Sequence, residues 1–223
     1  MKASTQLYAS EGRDNVAATL KVVAKAANTF DIGAIVIFAS SAENVLKLRD
    51  LIDESRGVTA VTFPAGFTAT VGDSPAFVGI PSAEDRQRLA DARVAVVQGV
   101  MPFRALGDTE MEGTRMFRRA LDLFGGGMQL CVQAVLMACD AGAIQAGKRC
   151  IAMTADTAIV AHAEHAFRFL SNQSRFSVEH ILCKPVAYSI TRPSVIAPTE
   201  PGPATAIAAG PQAVLPTPAV NGD

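Results

Sequence analysis

Apolar positions along the chain alternate between two rhythms. Val16, Leu20, Val23, Ala27 and Phe30 recur at the spacing of one buried helix stripe, with Asp14 placed to cap its start, so a helix is expected to open the domain. Gly33–Ala39 is then a β-branched run without polar interruption, the pattern of a strand covered on both faces. Ser40 and Ser41 follow, and Val45, Leu48 and Ile52 return to helical spacing. Val58–Thr62 predicts a second strand, Pro64–Pro81 a long loop, and Ser82 with Asp85 a capping box for a short helix. Val94–Val97 predicts a third strand, and Gly99–Glu112 is irregular. Phe117, Ala120, Leu121 and Phe124 form another stripe, ended by Gly125-Gly126-Gly127. Met128–Ala141 is apolar nearly all round, which marks a helix inside the domain, closed by Gly142. Cys150–Thr154, Thr157–Ala161 and Val178–Lys184 predict further strands. Strands alternating with helices at this spacing give an α/β fold, a mostly parallel sheet with helices on both faces.

The rhythm stops at Arg192. Pro193, Pro198, Pro201, Pro203, Pro211, Pro216 and Pro218 fall among Ala, Thr and Gly, so residues 1–192 read as one domain and 193–223 as a flexible Pro/Ala-rich tail. With 49% apolar and 18% charged residues, the body can bury a core. A net charge of −1 and no basic stripe argue against nucleic acid as a partner. Cys131, Cys139, Cys150 and Cys183 show no CxxC spacing, and Met1–Arg13 has no apolar run of the signal-peptide kind, so a cytoplasmic protein with reduced thiols is expected. No apolar stretch has the length of a membrane span, so no membrane partner is expected either.

Five segments carry a resemblance: Ile35–Leu48, Val61–Phe67, Cys131–Gly142, Ala155–Val160 and Ile181–Pro185. In that order they resemble the pyruvate kinase C-terminal α/β-domain family, and more narrowly its stand-alone, archaeal-type branch. The most specific piece is the buried helix ending Met137-Ala-Cys-Asp-Ala-Gly142. The resemblance implies a three-layer α/β/α sandwich without pyruvate kinase activity, because the catalytic barrel of that enzyme has no counterpart here. It also implies a phosphate site at Ser40-Ser41, and a phosphorylated ligand such as flavin mononucleotide. The chain departs from the family pattern at Ala42-Glu43-Asn44 and Phe63-Pro64, at Gln133, and in passing from Met153-Thr154 into Ala155-Asp156 without a Gly-rich loop. Glu43 would repel an anion.

Ser40-Ser41 is the leading candidate on the residues alone. A helix N-terminus offers free N–H groups and positive potential to an anion, serine hydroxyls add donors, and ligands of parallel sheets bind beyond the carboxyl ends of strands. The alternative is that Ser41 simply caps the helix. Asn44 lies in the first turn of the same helix. Thr154, Asp156 and Thr157 end another strand and could meet the same crevice, Asp156 orienting a hydroxyl; the alternative is a polar turn. Gly66 and Phe67 could approach a flat ligand, or simply form a turn. Gly125–Gly127 reads as helix punctuation, since it lacks phosphate-loop spacing. His162 and His165 could share a helix face, but no third ligand is placed, and no metal is predicted. Cys131 and Cys139 read as packing residues. Asp140 opposes the dipole of its helix end, which points to backbone hydrogen bonds as a structural anchor or to a ligand contact. No catalytic residue is assigned.

Three functions follow as expectations. The first is a binding domain for a small phosphorylated metabolite or nucleotide, flavin mononucleotide among them, with regulation as its use. The second is a flavin-dependent enzyme, which would purify yellow. The third is an oligomerising scaffold with a degenerate pocket, its tail reaching a partner; symmetric homo-oligomers are common among such domains.

Overall fold

The structure is a computed structural model that describes residues 4–65, 67–71, 74–77, 80, 82–103 and 112–188. All of these fall within one compact unit, Met1–Arg192. The expected tail and Gly66 lie outside the described residues, as does most of the irregular segment after Gly99.

Among the described residues, nine strands and five α-helices follow one another. A seven-stranded sheet has the order β1 (Gln6–Ser10), β9 (Ser177–Ala187), β8 (Ala158–His162), β7 (Arg149–Met153), β2 (Ala34–Phe38), β3 (Gly57–Thr62) and β6 (Val94–Gln98). Every neighbouring pair is parallel except those made by β8, which runs against both β7 and β9. The expected mostly parallel sheet is therefore present.

The central strands are apolar on both faces because both faces are covered. Along β2, Ile35 and Ile37 pack with Leu20, Val23, Val45, Leu48 and Leu89 of α1 (Val16–Thr29), α2 (Ala42–Leu51) and α3 (Ala83–Asp91). Val36 and Phe38 face the opposite cluster, built on Val132, Val135 and Leu136 of α5 (Gly126–Asp140), against which Phe117 and Leu121 of α4 (Glu112–Asp122) also pack. The result is an α/β/α sandwich. Among the described residues, no helix is long and apolar enough to cross a membrane.

Several local expectations change. The domain opens with a strand: β1 lies at the sheet edge with only Tyr8 buried, so it carries no alternation to read. Asp14 does not cap α1; it sits in a 3-10 turn, Arg13–Asn15, and Asn15 takes the cap position, its amide instead donating to the Ser10 carbonyl at 2.8 Å. The long loop contains a hairpin, β4 (Thr68–Val71) with β5 (Ser74–Phe77); Thr68, Thr70 and Val71 favour a strand, but Pro75 within β5 and the surrounding Gly and Pro residues hide the pair in the sequence. The predicted stripe ending at Phe124 outruns α4, and Phe124 is exposed. Ser82 does cap α3, accepting the Asp85 N–H at 3.0 Å.

Candidate functional site

Strand order reverses between β2 and β7. From β2 the chain moves outward through α2 to β3 and through α3 to β6; it then returns across the other face, by way of α4 and α5, to β7 on the far side of β2. This is the switch point of an open parallel sheet, where the connections leaving two adjacent strands diverge to opposite faces and open a crevice. Ile37 pairs with Met153, so the turns after Phe38 and Met153 leave neighbouring strands. Ser40, Ser41 and Asn44 follow β2, Thr154, Asp156 and Thr157 follow β7, and Phe67 follows β3. These candidates share one edge of the sheet. Among the described residues, no hydrogen bond joins the serine turn to the threonine turn.

The serine turn starts from a fixed point. Ala39 donates its N–H to the Val61 carbonyl at 2.8 Å, and its carbonyl accepts the Thr62 hydroxyl at 3.1 Å. Thr62 in turn accepts the Ile80 N–H at 3.1 Å, tying β3 to the approach of α3. Ser41 takes the N-cap position of α2 in extended conformation, but its side chain makes no capping hydrogen bond. Ser40 is exposed and Ser41 and Asn44 are half-buried. The first turn of α2 thus presents backbone N–H groups and two hydroxyls at the helix's positive end. Glu43, expected to repel an anion, is ion-paired to Lys47 at 2.6 Å, which lowers its carboxyl pKa and balances its charge.

The threonine turn is closed on itself. Asp156 Oδ2 accepts the Gly12 N–H at 2.9 Å, and Oδ1 accepts the Thr157 hydroxyl at 3.0 Å and the Thr154 hydroxyl at 3.5 Å. Thr154 also donates its N–H to the Thr157 carbonyl at 2.8 Å. Gly127, in the first turn of α5, packs so closely that a Cβ there would lie 2.2 Å from Thr157 Oγ1 and 2.7 Å from Thr154 Oγ1. Gly125–Gly127 is therefore more than punctuation: Gly125, with φ of 99°, separates α4 from α5, and Gly127 lets the positive end of α5 meet the turn that holds Asp156.

Thr19 seals the turn from below. Its hydroxyl lies 3.0 Å from both the Ala155 and Asn15 carbonyls and 3.0 Å from Tyr8 Oη. Having one proton, Thr19 donates it to a carbonyl and accepts from Tyr8. A neutral phenol suits that role, and burial pushes the Tyr8 pKa up to about 12. Gly12, Thr19 and Tyr8 were invisible as partners in the sequence, because they reach this turn from the other end of the chain.

No family model matches the chain.

The remaining candidates separate. Phe67 stacks on Phe63, with ring centroids 4.8 Å apart and planes 3° from parallel, and Phe63 meets Phe38 edge-on. All four cysteines are free and buried, and burial pushes their thiol pKa values up, to about 11 for Cys139 and about 12 for Cys150. Such thiols pack rather than attack. His162 and His165 do not share a helix face: His162 ends β8, 3.5 Å from Glu179, and His165 precedes a 3-10 turn, Ala166–Arg168. Asp140 accepts the Ala166 N–H at 3.1 Å, a backbone bond of the kind its position demanded, and lies 3.2 Å from His165 Nδ1. Among the described residues, no group of three or more His, Cys, Asp or Glu side chains could hold a metal ion.

Proposed function

We propose that the protein is a binding domain for a small phosphorylated metabolite or nucleotide, related to the stand-alone branch of the pyruvate kinase C-terminal α/β-domain family and without pyruvate kinase activity. The phosphate sits at the N-terminus of α2, against Ser40, Ser41 and Asn44, and the rest of the ligand extends along the carboxyl edge toward Phe67. One observation carries this reading: at the switch point, Ser41 holds the N-cap position while leaving its hydroxyl unused for capping. A cap serine that does not cap leaves its helix end available to an anion. Thr154, Asp156 and Thr157 then form the rigid wall of the crevice. Flavin mononucleotide is the first ligand to test, since its phosphate and flat ring suit a helix end beside an aromatic stack.

Native mass spectrometry of freshly purified protein tests this directly. An adduct with the mass of a nucleotide or sugar phosphate, acquired in the cell or on incubation, is the expected result. A bare chain after incubation with flavin mononucleotide and with sugar phosphates would overturn the reading. A second reading, an oligomerising scaffold, is favoured by Met116 and Leu123, large apolar residues on α4 and just after it that are 65% and 73% exposed. The same spectrum counts subunits, and a bare oligomer is the result that reading expects.

A further inference from the structure

Thr62 ends β3 on the same face as Val58 and Ala60, which pack in the core beneath α2 and α3, and no part of it is exposed. A valine would fill the same space; what threonine adds there is a hydroxyl, and a buried hydroxyl is costly unless it is hydrogen-bonded. This one is used in both senses. It donates to the Ala39 carbonyl at 3.1 Å and accepts the Ile80 N–H at 3.1 Å, two backbone groups from two different connections.

The first of these bonds acts on the serine turn. A planar trans peptide unit carries the Ala39 carbonyl and the Ser40 N–H in opposite directions, and there is no cis peptide among the described residues. The Ala39 N–H is held by the Val61 carbonyl at 2.8 Å and the Ala39 carbonyl by Thr62, so β3 orients the peptide units on both sides of Ala39. The Ser40 N–H is thereby aimed away from Thr62, directly ahead of Ser41 and the first turn of α2. The second bond acts on the entry to α3. Ile80 lies two residues before the Ser82 cap, is 1% exposed, and packs in one cluster with Val45 and Leu48 of α2 and Leu89 of α3. One hydroxyl therefore ties the end of β2, the end of β3 and the approach of α3 together.

We propose that Thr62 is the positioning residue of the phosphate site: by holding the Ala39 carbonyl its hydroxyl fixes the peptide plane that presents the Ser40 N–H, and by accepting from Ile80 it anchors that plane to the packed entry of α3. This role rests on the reading of the serine turn as a phosphate site. Thr62 is buried and acts through Ala39 and Ser40, not by touching the ligand.

Stability and positioning make different demands on this side chain. Thr62→Val keeps the shape and loses the hydroxyl, whereas Thr62→Ser keeps the hydroxyl and loses a buried methyl, so both variants are expected to melt below wild type. Flavin mononucleotide and glucose 6-phosphate are titrated into each full chain by isothermal calorimetry, below all three unfolding transitions. For the ligand that wild type binds, affinity is expected to follow the hydroxyl, within about twofold of wild type in Thr62→Ser and weakened by about tenfold or more in Thr62→Val. Hydrogen exchange of the ligand-free proteins, read by NMR, measures the tie to α3 separately. Relative to the Val36 amide in the middle of the sheet, the Ile80 amide is expected to exchange about tenfold faster in Thr62→Val and at the wild-type ratio in Thr62→Ser. Equal affinity in wild type and Thr62→Val, equal losses in the two variants, or an unchanged Ile80 ratio in Thr62→Val overturns the role of Thr62 and leaves the phosphate site standing. Binding of neither ligand to wild type overturns the phosphate site, and this role with it.

Discussion

At the carboxyl edge of the sheet, β2 and β7 lie side by side and each ends in a short turn rich in hydroxyl residues, yet the two turns are in opposite states. In Thr154–Thr157 the donors and acceptors meet one another, the Gly12 N–H and the Thr19 hydroxyl, and Gly127 brings α5 against them. In Ser40–Ser41 the hydroxyl at the helix cap is not used for capping, although the strand before it is pinned through Ala39. A saturated turn is a structural joint, and the unsaturated one, on its rigid base, is where the proposed ligand would bind. The same residue types serve both ends because their state is decided by partners distant in sequence.

The largest expected effect comes from breaking the closed turn. Gly127→Ala would gain about 1 kcal/mol of helix propensity. The new methyl, however, falls 2.2 Å from Thr157 Oγ1 and 2.6 Å from its Cβ, so overpacking wins and a net loss of about 3 kcal/mol is expected in urea unfolding. A neutral or stabilising result would mean that the turn yields, removing the contrast. Asp156→Ala comes next, at about 2 kcal/mol, because it strands the part-buried Gly12 N–H and the Thr157 hydroxyl, whereas the Thr154 hydroxyl keeps the Thr157 carbonyl. Thermal melts of Asp156→Asn, which keeps one acceptor, should fall between that variant and wild type. The sharpest comparison is the smallest. Ser82→Ala removes a formed cap and should cost about 1 kcal/mol, whereas Ser41→Ala removes none and should cost under about 0.3 kcal/mol. Equal losses in the two would mean that Ser41 stabilises α2 after all.

Much of the architecture was legible because burial on two faces imposes a pattern. Gly33–Ala39 and Val58–Thr62 can be read as strands since every position must be apolar or small, and Met128–Ala141 as an interior helix for the same reason. Edge strand β1 was not legible, because only Tyr8 turns inward. Within the site, the positions of Ser40, Ser41, Thr154, Asp156 and Thr157 were legible, since each follows a strand end. Their hydrogen bonding was not: Gly12, Thr19 and Gly127 are far from that turn in the chain, and only the fold brings them to it. Gly127 had a signal in the triple glycine, but the residue it must accommodate, Thr157, is on another element. The pairing of Asp140 with His165 was hidden likewise, by the length of β7 and β8 between them.

The central claim is that the open serine turn, and not the closed threonine turn, holds a phosphorylated ligand. Titration of flavin mononucleotide and of a sugar phosphate into wild type and Ser41→Glu, with matched melting temperatures, tests it most directly. The account predicts one ligand bound per wild-type chain and binding abolished when the glutamate places a negative charge at the helix end. Equal affinity in the two proteins, or no binding of either ligand to wild type, would contradict it.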